Sequence, residues 1–305
     1  MRSLACLVVA ALLCVASISE ARAQTIAYGI AFDEVFRVNL DTRRATLVGA
    51  TGSYAGRTIG QLSGLTYSPQ GELFAASGTL GALVKINPGN GAATFIGSFG
   101  LSGQGSGQFE TLDLSMTYGC DGQLWMTSAI NANLWRVNPQ TGATTLVGNT
   151  GRLLSGLAIR NARLYATGIG SDQALYTIDT ATAQATPIGG LGLSAPWVEP
   201  DFGADGTLWA TLSYNPPQNR EWSDLARIDV NTGMATNLGP ITGPESLRFF
   251  SMRGLAVAAN SCQPLPGGGT PVVAATLPVQ SPWALLLLAL GVIVLGATHA
   301  RRGAR

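Results

Sequence analysis

The feature that most constrains this chain is a unit that recurs five times between its two ends. EVFRVNLDTRRATLVG, ALVKINPGNGAATFIG, NLWRVNPQTGATTLVG, ALYTIDTATAQATPIG and DLARIDVNTGMATNLG each read as an alternating strand, a short turn and a second alternating strand. The closing glycines, Gly49, Gly97, Gly148, Gly189 and Gly239, are spaced 48, 51, 41 and 50 residues apart. Asn39, Asn87, Asn138, Asp179 and Asp229 open the turns, where their side chains can cap local backbone, and Gly91, Gly142 and Gly233 supply the left-handed residue a tight hairpin needs. Arg43 and Ala183 replace that glycine in the first and fourth copies, which predicts strained or reshaped turns there.

Another strand pair precedes four of these hairpins: SGLTYSPQGELFAAS, LSMTYGCDGQLWMTS, SGLAIRNARLYATG and VEPDFGADGTLWATL. Four strands in roughly 40 to 50 residues make one propeller blade. The first copy has only TIAYGIAF before it, matching a second strand, while MRGLAVA follows the last copy and matches a first strand. The expectation is an all-β propeller of five four-stranded blades over residues 24–259, closed by pairing of the N- and C-terminal strands. A solenoid would need caps and has no use for such complementary ends.

The repeat resembles the YVTN and quinoprotein-like propellers, whose units often hold an Asp-x-x-Thr-Gly turn comparable to Asp229–Gly233 here. That resemblance implies the fold and says little of activity.

Both ends read as targeting segments. Residues 1–23 combine Arg2, an apolar run from Leu4 to Ala16 and Ala21-Arg22-Ala23, the layout of a secretory signal peptide with its cleavage site. Residues 260–276 hold three prolines and three consecutive glycines, a flexible linker. Trp283 to Ala300 then gives 18 residues without formal charge, followed by Arg301, Arg302 and Arg305, which is just enough for a transmembrane helix with a cytoplasmic end. With Leu277, Pro278, Ser281, Pro282 and Trp283 ahead of it, the segment 277–305 resembles the IPTL-CTERM sorting signals of Gram-negative bacteria, relatives of the PEP-CTERM class. Val279 and Gln280 stand where that family usually shows Thr and Leu. The resemblance implies export, anchoring in the inner membrane at least transiently, handling by a sorting protease, and delivery to the cell surface or its matrix. A plain membrane anchor is the alternative.

Charge excludes one class of partner. Between the targeting segments 13 cations face 16 anions, so no basic field is available for a nucleic acid. Chemistry is sparse as well. The one histidine, His299, lies in the tail, which removes Ser-His-Asp and Cys-His catalysis and histidine-ligated metals from the rest. The glycine-rich Gly97–Gln108 segment lacks the lysine and helix of a phosphate loop and reads as a connection between blades. Cys120 and Cys262 survive signal removal in a compartment where disulfides persist, and are a candidate bridge.

Carboxylates remain, and the repeat is an internal control for judging them. Glu199 falls where the other first strands have Gly64, Ser115, Gly156 and Gly254; Asp201 falls where they have Thr66, Thr117, Ala158 and Ala256. Alternation puts both acids on one face with Cβ atoms roughly 7 Å apart, a spacing compatible with a bridged Ca²⁺ or an acid acting on substrate. The competing reading is that the strand, flanked by Pro196 and interrupted by Pro200, bends outward and leaves both acids in water. Glu110 and Glu245 also precede first strands, near where a central channel would open. The aromatics Phe74, Trp125, Tyr165 and Trp209 share one register and read as packing between blades. No cofactor signature is present beyond the Ca²⁺ option. Two functions follow as expectations: an exported, surface-sorted binding or display module for an extracellular polysaccharide or protein, and, as the alternative, a Ca²⁺-dependent lactonase- or lyase-like enzyme.

Overall fold

The computed structural model describes residues 24–106, 112–214 and 222–258. The chain divides into Met1–Gln263 and Pro264–Arg305, and the second unit lies wholly outside the described residues, as do the segments expected to be signal peptide, linker and sorting motif, and Glu110 and Cys262. Among the described residues no helix is long and apolar enough to cross a membrane.

Five four-stranded antiparallel sheets form the blades of a propeller. Blade 1 contains β1 (Ile26–Ala31), β2 (Glu34–Asn39) and β3 (Arg44–Ala50). After a small hairpin, β4 (Ser53–Tyr54) and β5 (Arg57–Thr58), blade 2 runs β6 (Leu62–Tyr67), β7 (Leu73–Ser77), β8 (Ala82–Ile86) and β9 (Ala93–Ser98). Blade 3 is β10 (Leu114–Tyr118), β11 (Leu124–Ser128), β12 (Asn133–Val137) and β13 (Thr144–Asn149). Blade 4 is β14 (Leu154–Arg160), β15 (Arg163–Gly168), β16 (Ala174–Ile178) and β17 (Ala185–Gly190). Blade 5 is β18 (Trp197–Phe202), β19 (Leu208–Ser213), β20 (Asp224–Ile228) and β21 (Ala235–Pro240), followed by the short helix α1 (Ser246–Phe249) and β22 (Leu255–Val257). Strand β22 returns to blade 1 and pairs with β1 through Ala27, Tyr28 and Gly29, so the ends close the ring as their sequences predict.

The burial of each strand follows its place in the blade. The inner strand β10 (LSMTY) and its neighbour β11 (LWMTS) are buried along their whole length, because a blade packs against another on each face. The outermost β13 (TTLVGN) has no buried residue, and half of it is exposed. Apolar clusters fill all five junctions: Phe36 and Leu255 meet Trp209 and Leu225 between blades 1 and 5, and Tyr165 meets Phe202 between blades 4 and 5. Phe74 meets Met116 between blades 2 and 3, Val35 meets Leu65 between blades 1 and 2, and Trp125 meets Leu157 between blades 3 and 4. The recurring aromatics are therefore core, each nearly covered: Phe74 and Trp125 at 4%, Tyr165 at 7% and Trp209 at 2% exposure. Arg136 and Arg227, directly across from Trp125 and Trp209, lie over those rings at 5.4 and 4.4 Å.

The glycine that closes each repeat is a contact between blades. A Cβ on Gly49 would run into the carbonyl oxygen of Asn90 in the next blade's outer turn, and one on Gly189 into that of Thr232. Arg43 and Ala183 hold φ of 55° and 67°, the same left-handed region as Gly91, Gly142 and Gly233, so those turns keep their shape and carry the strain.

Candidate functional site

An inner strand has one edge with no partner strand, so its N–H groups need acceptors from elsewhere. Side-chain oxygens of the preceding blades supply them. Thr66 Oγ1 accepts from Tyr118 N at 3.0 Å, Ser115 Oγ from Leu157 N at 3.0 Å, and Ser155 Oγ from Val198 N at 3.2 Å. At the junction where the chain ends meet, Asp201 Oδ2 accepts from Val257 N at 2.7 Å. One of the two acids singled out by the repeat is thus a strand cap, doing with a carboxylate what Thr66 does with a hydroxyl. Burial pushes the Asp201 carboxyl up to about 7, opposed by its hydrogen bonds from Val257 and Phe202.

Glu199 does something else. It is 4% exposed, pairs across β18 and β19 with Thr211, and its Oε2 accepts from Ser115 Oγ of blade 3 at 3.4 Å. Its side chain thus spans toward a blade that is not its neighbour. The other blades carry small residues here for lack of room: a Cβ on Gly64 would strike Met116 N, and one on Gly156 would strike Pro200 and the Val198 carbonyl. Burial pushes the Glu199 carboxyl up to about 8; the Arg253 guanidinium and the Ser115 hydrogen bond pull the other way, and Asp113 adds to the rise. Burial thus favours the protonated form of this acid. Both carboxyls are enclosed, and the outward bend that would leave them in water does not occur.

Glu199 lies in the wall of a cavity of about 320 Å³ lined also by Asp113, Trp197, Arg253, Phe32 and Phe250. Arg253 is held in place by its backbone, whose N–H donates to Ile30 O at 2.8 Å, and by Met252, whose N–H donates to Ser223 Oγ at 3.0 Å. Its guanidinium stacks on Trp197 at 3.8 Å. Burial disfavours the Arg253 charge, while Glu199 and Asp113 support it. At the rim Phe32 and Phe250 stack with ring centroids 5.4 Å apart and are 43% and 46% exposed.

The remaining sequence candidates lie apart from this wall. Glu245 precedes α1, is exposed and pairs with Arg248 at 2.6 Å, and it does not line the cavity. Cys120 sits in the turn between β10 and β11 and is disulfide-bonded. Among the described residues no group of three or more His, Cys, Asp or Glu is placed to hold a metal ion.

Arg253, Trp197 and Asp113 escape the reading of the sequence, although a signal was there. Arg253 stands one residue before the acid register, where the other blades have Ser63, Leu114, Ser155 and Val198, so the comparison that isolates Glu199 also isolates a cation. The aromatic rim carries no such signal, since Phe32 and Phe250 come from a turn and from the connection after α1.

No protein-family model matches the chain, and no curated protein does. Solved structures that are similar include a structural genomics protein of unknown function from Bacteroides thetaiotaomicron, at 13% identity, 61% of this chain, 53% of that one and a TM-score of 0.46. This chain therefore spans about half the length of that protein. A chain of a nidogen/laminin complex is similar at 10% identity over 77% of this chain and 98% of that one, with a TM-score of 0.48. At such identities the likeness does not extend to activity or partner, and the five closed blades are what this chain is shown to be.

Proposed function

We propose that the chain is an exported, surface-sorted propeller that binds a ligand at the mouth of its central channel without transforming it. The observation that carries this reading is the cavity itself, where two of the repeat's departures, Glu199 and Arg253, meet Asp113 and a stacked aromatic rim. The serine nearest the acid, Ser115, is engaged as a strand cap to Leu157. The signal-like start and the sorting-like tail support an address outside the cytoplasm. The Ca²⁺-dependent enzyme is the second reading, favoured by one fact: Glu199 is a carboxyl poised at about 8 in a cavity wall, where acid–base groups are found.

Two measurements separate them. Elemental mass spectrometry of the natively purified chain, beside a Glu199→Ala, Asp201→Ala double variant, is expected to find no stoichiometric Ca²⁺ in either; Ca²⁺ that disappears in the variant would move the assignment to the enzyme. Protease treatment of intact cells is expected to remove the propeller, and full protection would refute surface display.

A further inference from the structure

The composition of the cavity narrows its ligand. Among the described residues, no hydrogen bond or ion pair engages the Arg253 guanidinium, although it is largely buried and stacked on Trp197. Arg253 lines the cavity, and a guanidinium's donors want acceptors. Glu199 and Asp113 both lie close enough to support the Arg253 charge, so the wall already holds carboxyls for its one cation and offers no surplus positive charge to an anion. An added carboxylate or phosphate would meet Asp113 without a second cation to offset it. What the wall offers is a mixture: donors from Arg253 and Gln61, an acceptor in Asp113, and the exposed Phe32 and Phe250 rings as an apolar surface.

The backbone fixes the shape of the wall. Phe32, Gln61 and Asp113 all line this cavity with left-handed φ of 54°, 48° and 43°. Each is pinned by its carbonyl, which accepts from Leu62 N, Gly78 N and Ala129 N respectively. The same conformation recurs in turns away from the cavity, at Arg43 and Ala183 among others, so here it serves to hold the wall in one shape.

We propose that the cavity binds an uncharged sugar ring, its apolar face against the Phe32–Phe250 pair and its hydroxyls bridging Arg253 and Asp113. Hydroxyls both donate and accept, which is what a guanidinium beside a carboxylate requires, and a volume of about 320 Å³ admits a single ring. The inference rests on the binding function proposed above and names the ligand class for that site.

The test is calorimetric titration of the full chain, extracted in a sugar-free detergent, with neutral oligosaccharides of glucose, galactose, mannose and N-acetylglucosamine and with the matching uronates. Products are followed by chromatography. At least one neutral series is expected to bind, and Phe250→Ala and Arg253→Gln are each expected to weaken it about tenfold or more, roughly 1.4 kcal/mol. Phe250 is exposed, so its variant keeps the fold and stands even if Arg253→Gln does not. Absence of binding by every neutral series, preference for uronates, or indifference to Phe250→Ala would each overturn the sugar assignment. A neutral sugar that binds and is consumed would uphold that assignment and refute the non-catalytic function instead.

Discussion

Replacing Glu199 by Gln should make the protein more stable, and increasingly so as pH rises. Glu199 is 4% exposed, and its carboxyl sits at about 8 in the fold against an ordinary 4.5. Between those values the folded chain holds a proton that the unfolded chain has released. The contribution of this group to stability is full below pH 4.5 and is lost as pH climbs through 8. At about 1.4 kcal/mol per tenfold change, the gap sets a ceiling of about 5 kcal/mol for the whole loss. Water entering from the cavity lowers the effective cost, and ~2 kcal/mol by pH 9 is a working expectation. Gln has the same shape, accepts the Ser115 hydrogen bond and never ionises. Urea unfolding of wild type and Glu199→Gln from pH 5 to 9 is therefore expected to give nearly equal stabilities at pH 5, to diverge steadily up to about pH 8 and to level off above it. At the alkaline end the variant should melt several degrees higher, taking 2–4 °C per kcal/mol for a domain of this size. Parallel curves, or a variant uniformly weaker, would refute the account of Glu199 as an acid whose burial favours the protonated form.

The neighbouring glycines Gly189 and Gly190 should behave oppositely. Gly189→Ala drives a methyl into the Thr232 carbonyl and is expected to cost about 1–3 kcal/mol, while Gly190→Ala meets nothing nearer than Gln173 O at 3.9 Å and is expected to be close to neutral in thermal melts. Asp201→Ala is expected to cost about 1.5–3 kcal/mol and to speed hydrogen exchange at the Val257 amide, with Asp201→Thr recovering part of both as Thr66 does for Tyr118. Cys262→Ser is expected to release one thiol reactive to maleimide at Cys120, which is disulfide-bonded; a thiol count that stays at zero would assign Cys120 another partner.

Much of the fold is legible in the sequence because the unit is written five times, and each copy corrects the reading of the rest. The closing strand is visible for the same reason: Leu255–Val257 matches the start of a blade that the chain had left incomplete 229 residues earlier, counted from Ile26 to Leu255. The hairpin of β4 and β5 and the helix α1 lie in connections that repeat nothing, and neither is foreseen. At the site, periodicity finds the right strand yet cannot divide its two acids. Both are anomalies at one face of β18, and only the third dimension shows that Asp201 caps Val257 while Glu199 reaches Ser115 and the cavity. Strand alternation is a local rule, whereas the acceptor that each side chain meets belongs to a blade far away in sequence.

The closing strand also sets an order of events in time. Strand β1 comes early from the ribosome and β22 comes last, so through nearly the whole of synthesis β1 shows a bare edge on one side. The same late segment brings Phe250 and Arg253 to the cavity. A chain cut short before Phe250 thus lacks its seam together with the Phe250 and Arg253 side chains of the cavity, and ligand binding becomes a certificate that the whole propeller was made.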